Sequence, residues 1–140
     1  MIDKQLIENK AVAISRYIEE IEPLLKFSNE EIKNDGTRLH ASERLIQLIV
    51  DAAIDINTHI IAEKKLEVPD DYHGTFEELF RGKILTHELA KKIAPSVGLR
   101  NRIIHQYEKV DLDLMLSSAK KGITDYVEYL KQIKNFIDKN

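Results

Sequence analysis

Apolar residues recur at every third or fourth position along most of this 140-residue chain, and this periodicity constrains its fold more than any other feature. Such a spacing places side chains on one face of an α-helix, whereas a half-buried strand needs strict alternation. Five glycines and three prolines leave few positions that would interrupt a helix. We therefore predict an all-α fold, an up-and-down bundle of four to five helices that forms one domain over residues 1–140.

Capping residues and helix breakers give the boundaries in the first half of the chain. We predict a first helix over residues 3–22, which Pro23 kinks or ends. Ser28 and Glu31 have the spacing of a capping box and predict a short helical turn. Thr37 is then predicted to cap a long second helix, whose apolar face includes Leu45, Leu48, Ile49, Ala52, Ala53, Ile56 and Ile60.

Capping residues and helix breakers also give the boundaries in the second half of the chain. Residues 67–74 are rich in aspartate, proline and glycine and predict a loop, after which Thr75 begins a short helix with the spacing of another capping box. Residues 87–108 follow a helical pattern that Pro95 interrupts. A last helix is predicted over residues 112–137, burying Leu112, Met115, Leu116, Ile123, Val127, Leu130 and Ile133.

The charge of the chain is unevenly distributed. A net charge of −3 argues against a general nucleic-acid-binding protein, because contacts to phosphates normally need excess positive charge. Residues 81–110 nevertheless hold seven basic residues against two acidic ones, a local charge of +5, which leaves −8 for the remainder. Either this segment meets an anionic partner, or its lysines and arginines form an ordinary solvated helix face.

Several classes of function lose support from the sequence. The absence of cysteine excludes disulfides, thiolate metal sites and a cysteine nucleophile, and it fits a reducing compartment, so we expect a cytoplasmic protein. The longest apolar run, near residues 45–61, contains Asp51, Asp55, Asn57 and His59, and we expect no membrane span. The chain also lacks a glycine-rich phosphate loop and the usual zinc-binding and nucleophile-elbow patterns.

The run over residues 98–107, GLRNRIIHQY, concentrates groups that suit phosphate chemistry. The imidazole of His105 can transfer protons near neutral pH, and the guanidinium of Arg100 offers paired donors for a phosphate. Together they predict cleavage of a phosphodiester without a metal ion. RNA is the natural substrate, because its own 2′-hydroxyl can act as the nucleophile and would yield a cyclic phosphate.

Helix geometry complicates this prediction. On a straight helix, Arg100 and Tyr107 lie about 20° apart, but His105 lies about 140° from Arg100 and about 7.5 Å further along the axis. The site therefore needs a helix that distorts or ends near His105, or a two-fold dimer in which two copies of the segment face one cleft. Asn101, four residues before His105, shares its face and could orient the imidazole.

Structural roles compete with the catalytic interpretation. Arg100 and Arg102 could pair with carboxylates, among them Asp51 and Asp55 of the second helix, and Tyr107 could be a core residue with an exposed hydroxyl. His59 has Asp55 and Glu63 four residues to either side. That spacing could hold a metal ion, although it is also typical of a charged helix face.

The pattern Arg100-x4-His105-x-Tyr107 resembles the signature of the HepT-like toxins of the HEPN superfamily. Two longer segments, ERLIQLIVDAAIDINTHII at 43–61 and IAPSVGLRNRIIHQYEKVD at 93–111, resemble the second helix and the signature helix of that family. The resemblance implies a HEPN-like helical homodimer that cleaves RNA without a metal ion or cofactor. It assigns phosphate stabilisation to Arg100, proton transfer to His105 and substrate contact to Tyr107; Asn101 and Arg102 are our additions.

The resemblance also implies a partner. In this family a nucleotidyltransferase acts as the antitoxin and can transfer AMP to the motif tyrosine, here Tyr107, which would block an RNA-binding cleft by volume and negative charge. Two alternatives remain: a non-catalytic HEPN module that binds a nucleotide or a partner, and a plain dimerisation scaffold.

Overall fold

Seven helices account for most of the chain in a computed structural model that describes residues 1–105 and 111–140. No strand occurs within these described residues. The all-α prediction is confirmed, and the larger number of helices arises because the turn after Ser28 is a helix of its own and Pro95 divides the predicted fourth helix. The helices are α1 (Lys4–Leu25), α2 (Asn29–Lys33), α3 (Gly36–Glu63), α4 (His73–Arg81), α5 (His87–Ile93), α6 (Ser96–Ile104) and α7 (Leu112–Asp138).

Polar contacts between the three long helices show how they run. Near one end of the bundle, the backbone N–H of Asp3 donates to the His59 imidazole at 2.9 Å, and further along Lys10 pairs with Asp55 at 2.9 Å, so α1 and α3 are antiparallel. At the opposite end, Lys120 of α7 donates to the backbone carbonyl of Phe27 at 3.0 Å, just beyond the last turn of α1. These contacts are those of an up-and-down bundle.

The core is formed mainly by isoleucine, and one chain of hydrogen bonds crosses it. The Tyr129 hydroxyl donates to Asn57 Oδ1 at 2.6 Å, and Asn57 Nδ2 donates to the Thr75 hydroxyl at 3.1 Å. Thr75 in turn donates to the backbone carbonyl of Tyr72 at 2.6 Å. Asn57 and Tyr129 have no exposed surface, so this chain ties α7, α3 and the start of α4 together in the interior.

Two of the helix caps predicted from the sequence are confirmed, and one is wrong. Ser28 forms the predicted capping box, and Thr86 caps α5 by accepting from the N–H of Leu89. The prediction that Thr37 caps α3 is wrong. The helix begins at Gly36, two residues earlier than predicted, so Asp35 is the cap and accepts from the N–H groups of Thr37 and Arg38.

The second predicted capping box is also wrong. Thr75 lies inside α4, which begins at His73 without a side-chain cap. Its hydroxyl is already used in the buried chain of hydrogen bonds, and Glu78 accepts from the backbone N–H of Glu67 at 3.1 Å. Glu78 therefore closes the loop before α4 and does not cap the helix.

Two further differences concern the end of one helix and the buried face of another. Pro23 does not end α1, which continues to Leu25, because a proline in the last turn removes only one backbone donor. Val127 was predicted to be buried but is 40% exposed, since α7 presents Tyr126 and Tyr129 to the core at that level. Helix α7 otherwise matches the predicted range to within one residue.

Helix α3 has the length and apolar composition of a membrane span, but 56% of its most apolar window is buried inside the structure. A core helix of a bundle shows the same features, so this property alone is weak support for a membrane location.

We expect Tyr129→Phe to lower the free energy of unfolding by about 1–3 kcal/mol, because it leaves the buried Asn57 carbonyl without its donor. Urea unfolding followed by circular dichroism measures the change. Tyr17→Phe, at a partly buried ring of α1, is the control and should change stability by less than about 0.5 kcal/mol. Equal unfolding midpoints for wild type and Tyr129→Phe would contradict the proposed importance of this hydrogen bond.

Gly122→Ala should raise stability by roughly 0.5–1 kcal/mol, because glycine lies in the middle of α7 and alanine favours a helix. No described atom outside its local helix backbone lies within 4 Å of an added Cβ there. At Gly74 the same change would place Cβ 2.9 Å from Cβ of Pro69, which belongs to a rigid ring, so Gly74→Ala should destabilise. Opposite shifts of the two thermal midpoints are expected; a lower midpoint for Gly122→Ala would refute the first expectation.

Candidate functional site

The predicted signature segment lies on α6 and at its end. Pro95 separates α5 from α6, and the hydroxyl of Ser96 in the first turn donates to the carbonyl of Ile93 at 2.7 Å. Ser96 also lies 2.7 Å from the hydroxyl of Tyr126, which fastens this turn to α7. Burial raises the pKa of the Tyr126 hydroxyl, so it stays neutral and can donate to Ser96.

Helix α6 ends directly before His105. His105 is the residue that follows the last helical position, with φ −98° and ψ 60°, and its N–H donates to the Asn101 carbonyl at 2.9 Å. The ψ value is outside the helical range, so the helix ends here. The angle of about 20° calculated between Arg100 and Tyr107 assumed a straight helix through both residues, and it therefore does not apply to Tyr107.

Arg100 is held by an ion pair with α3. Its Nε donates to Asp51 Oδ1 at 2.7 Å, and the two side chains are 20% and 34% exposed. Its Nη1 donates to Asn101 Oδ1 at 2.9 Å. Two contacts to the same planar group fix its orientation, and among the described residues none is hydrogen-bonded to Nη2. The guanidinium is therefore positioned, and one of its nitrogens is not used by the residues that the structure describes.

Tyr72 contacts the same guanidinium from the loop before α4. The Arg100 Cζ lies 5.8 Å from the centre of the Tyr72 ring, within the range of a cation–π contact. Tyr72 is 49% exposed, although its backbone carbonyl is tied to the core through Thr75. From the sequence, this residue was predicted only to lie in a loop; an aromatic residue surrounded by aspartate, histidine and glycine was the available signal.

A cleft of about 730 Å³ opens beside Arg100, between α3, the loop before α4, and α6. Its volume is in the range of small-ligand sites, roughly 300–1,000 Å³. Asn101 and Tyr72 line it on the side next to Arg100. The remaining wall is mostly apolar and is formed by Thr58, Ile61, Ala62, Val68, Pro69, Thr75, Val97 and Gly98, together with Asp70, Asp71 and His73.

Arg102 does not share the environment of Arg100. It lines a separate cleft of about 320 Å³ between α5, α6 and α7, together with Lys92 and Lys121. Two residues of helix rotate a side chain by about 200°, which puts positions two residues apart on opposite sides. The structure thus brings Arg100, Asn101 and Tyr72 together and leaves Arg102 on the other face of α6.

Two other predicted site residues cannot be placed beside Arg100. Tyr107 lies outside the described residues. His105 is exposed at the end of α6, and the expected contact between its imidazole and the Asn101 amide stays a prediction. The described amide contact is the one from Arg100 to Asn101.

The metal hypothesis at His59 receives no support. Asp55 pairs with Lys10, and Glu63 pairs with the N-terminal amino group of Met1. His59 accepts a hydrogen bond from the backbone N–H of Asp3. Each of the three groups has its own partner. Within residues 1–105 and 111–140, no cluster of three acidic or histidine side chains could hold a metal ion. The alternative pairing of Asp51 with Arg100 is confirmed, whereas Asp55 pairs elsewhere.

The chain is similar to proteins of one family along most of its length. A family model described as "Ribonuclease HepT-like" matches residues 14–133. The chain is 35% identical over 136 residues to a tRNA nuclease HepT from Aphanizomenon flos-aquae, covering 97% of this chain and 92% of that protein. It is 27% identical over 129 residues to an mRNA nuclease HepT from Shewanella oneidensis, covering 92% and 96%.

A solved structure has a similar fold over nearly the whole chain. It contains a tri-AMPylated HEPN toxin from Shewanella oneidensis in complex with the MNT antitoxin. The two folds superimpose with a TM-score of 0.84 at 27% identity, covering 96% of this chain and 99% of that toxin chain. The resemblance found in the signature segment therefore extends to the fold.

Proposed function

Because this chain belongs to the HepT-like ribonuclease family, we propose that it is the toxin of a toxin–antitoxin pair and cleaves RNA at a site formed by Arg100, His105 and Tyr107. Two relatives named as tRNA and mRNA nucleases support the reaction class. The similar toxin in complex with its antitoxin supports the biological setting. Metal independence and the roles of individual residues are our proposals.

The observation that carries the catalytic proposal is the orientation of Arg100. Asp51 and Asn101 hold its guanidinium at the edge of the cleft, five residues before His105. A phosphate that reaches this edge meets a fixed positive group, and stabilisation of charge in the transition state depends on such fixed donors. Asp51 therefore acts as a positioning residue, through Arg100.

The proposed reaction uses the substrate's own nucleophile. His105 removes the proton of the RNA 2′-hydroxyl, and the 2′-oxygen attacks the adjacent phosphorus. The bond from phosphorus to the 5′-oxygen breaks, and that oxygen takes up a proton. The products are a 2′,3′-cyclic phosphate and a free 5′-hydroxyl. Every bond and proton in this step is accounted for without a metal ion or other cofactor.

A homodimer would supply the two proton-transfer groups, a base and an acid, that the proposed reaction needs. One imidazole cannot be deprotonated as the base and protonated as the acid at the same instant. A two-fold pair of chains supplies two copies of His105, and its exposed position at the end of α6 is compatible with a site shared across an interface. We therefore propose that the active form is a homodimer with both signature segments at one cleft.

The antitoxin is proposed to be a nucleotidyltransferase that binds the toxin and transfers AMP to Tyr107. AMP would add negative charge and bulk beside the phosphate-binding arginine, and both would oppose the entry of RNA. Asn101 supports the site by holding Arg100. Arg102 lies on the opposite face of α6, so its proposed contribution is to the RNA backbone beyond the reaction centre.

The whole of residues 1–140 is proposed to form one HEPN-like domain that works in the cytoplasm. The lack of cysteine fits a reducing compartment, and the long helices share one continuous set of buried apolar residues.

Replacement of His105 tests the catalytic proposal. Wild type should cleave labelled RNA in the presence of EDTA and leave a cyclic phosphate, whereas His105→Ala should be slower by about 10²- to 10⁴-fold. His40→Ala is a matched control, because the side chain of His40 is 80% exposed on α3. The rates are measured by gel electrophoresis and the product ends by mass spectrometry.

Three results would change the assignment. A folded His105→Ala protein with the wild-type rate would exclude proton transfer by His105. Activity lost in EDTA would exclude the metal-independent reaction. No cleavage by a wild type whose Tyr107 is unmodified by mass would favour a non-catalytic HEPN module that binds a nucleotide or a partner.

Asp51→Ala tests how Arg100 is positioned. We expect kcat to fall by roughly 10- to 100-fold, because the guanidinium loses its fixed orientation, while KM stays unchanged or falls because the negative charge paired with Arg100 is removed. Asp51→Asn keeps an acceptor for Nε and should recover part of kcat. Asp55→Ala, one turn later on α3 and paired with Lys10, is the matched control. Equal kcat values for Asp51→Ala and Asp55→Ala would show that the ion pair has only a structural role.

A further inference from the structure

We propose that the cleft beside Arg100 binds one unpaired nucleobase of the RNA, with Tyr72 as the stacking residue and a preference for a base that carries an amino group. The inference rests on the proposed ribonuclease function, and it assigns to the cleft a role in substrate recognition. The cleft is the space between α3, the loop before α4, and α6 that Tyr72 and Asn101 line next to Arg100.

Position relative to Arg100 supplies the first argument. The guanidinium that would hold a phosphate lies at the edge of the cleft and contacts the Tyr72 ring. In single-stranded RNA a base is attached to the sugar next to each phosphate, so a phosphate at Arg100 places a neighbouring base within reach of the cleft. Proteins that read unpaired RNA commonly take up such bases on aromatic rings and guanidinium planes.

The exposure of Tyr72 supplies the second argument. Tyr72 is an aromatic residue that is 49% exposed, so a large part of its surface is in contact with water. Its neighbour Val68, on the same loop and also lining the cleft, is 78% exposed. The backbone at Tyr72 is held by the buried Thr75 and Asn57, so the exposed ring is presented from a fixed position. A flat apolar surface at a fixed position suits a stacked base.

The negative charge of the cleft favours binding of a base over binding of a phosphate. Asp70 and Asp71 both line the cleft, so a phosphate inside it would meet two carboxylates. Carboxylates accept hydrogen bonds from the exocyclic amino groups of adenine, cytosine and guanine, whereas uracil has no such group. One oxygen of Asp71 already accepts from the N–H of Gly74 at 2.8 Å. Asp70 is therefore the carboxylate that we assign to the base.

Different parts of the site would therefore bind the two parts of the nucleotide. Arg100 would bind the phosphate, and the mostly apolar cleft would bind the base. Ile61, Val97 and Pro69 line the apolar part of the wall, where the base would be shielded from water. A base that stacks on Tyr72 would also hold the sugar of that nucleotide close to Arg100, which would help to align the 2′-hydroxyl with the phosphate.

Binding of uncleavable oligonucleotides tests the proposal without requiring catalysis. Labelled octamers of deoxyadenosine, deoxycytidine and deoxyuridine lack the 2′-hydroxyl nucleophile, and fluorescence anisotropy gives their Kd for the purified full chain. Tyr72→Ala and Tyr72→Leu should raise Kd by roughly 5- to 100-fold, the usual effect of removing one stacking ring. Tyr72→Phe should bind like wild type, as should Val12→Ala, an exposed apolar position on α1.

Two further measurements separate stacking from a general loss of binding. The dependence of Kd on salt should have the same slope for wild type and Tyr72→Ala, because no phosphate contact is removed. Wild type should bind the deoxyadenosine and deoxycytidine octamers more tightly than the deoxyuridine octamer. Asp70→Asn should reduce that difference, whereas Asp138→Asn at the end of α7 should not.

The outcomes distinguish this proposal from the proposed function. Kd values for Tyr72→Ala and Tyr72→Leu equal to wild type would overturn the base-binding cleft, even if wild type cleaves RNA. Binding that depends on Tyr72 without any RNA cleavage by wild type would support the cleft and overturn the catalytic assignment. Unchanged oligonucleotide binding with a changed sedimentation mass would identify the cleft as a protein interface and overturn the proposal. If Tyr72→Ala unfolds more readily than wild type, the comparison of the leucine and phenylalanine variants decides.

Discussion

The buried hydrogen bonds from Tyr129 through Asn57 and Thr75 to the carbonyl of Tyr72 determine where the candidate site can form. Polar groups without exposed surface must find partners inside the protein, and here each partner belongs to a different helix. Because the chain of bonds ends on the backbone of Tyr72, it fixes the loop that forms one wall of the cleft. An apolar core alone would have held α3 and α7 together without specifying the position of that loop.

The ion pair between Asp51 and Arg100 has a similar effect on the opposite wall. It joins α3 to α6 across the bundle at 2.7 Å, with both side chains largely shielded. Such a pair adds little net stability, since the loss of hydration offsets much of the attraction. Its consequence is geometric: the guanidinium is held in a fixed orientation on the helix that ends at Ile104, directly before His105.

The sequence predicted well the features that depend on local patterns. Helical periodicity and the capping box at Ser28 were predictable, because each depends on a few neighbouring residues. The end of α6 at Ile104 was not, since the helical pattern of the sequence continues to about residue 108. The cap of α3 was placed wrongly because two acceptors, Asp35 and Thr37, compete at nearby positions. The alternative pairing of Asp51 with Arg100 was open in the sequence, and only the packing of α3 against α6 decides it. The role of Tyr72 was not predictable, since its position follows from hydrogen bonds among three helices.

The pattern of ion pairs explains why the site would depend on stacking as well as charge. Several basic residues of the segment over 81–110 are already paired: Arg81 with Glu77 and Glu78, Lys92 with Glu88, and Arg100 with Asp51. Paired cations contribute less to long-range attraction of a polyanion, and the chain as a whole carries −3. Selective contact with RNA would then come from short-range interactions at fixed groups. An oriented guanidinium lies beside the half-exposed Tyr72, which lines the cleft, so a charged contact and a stacking contact would be available next to each other.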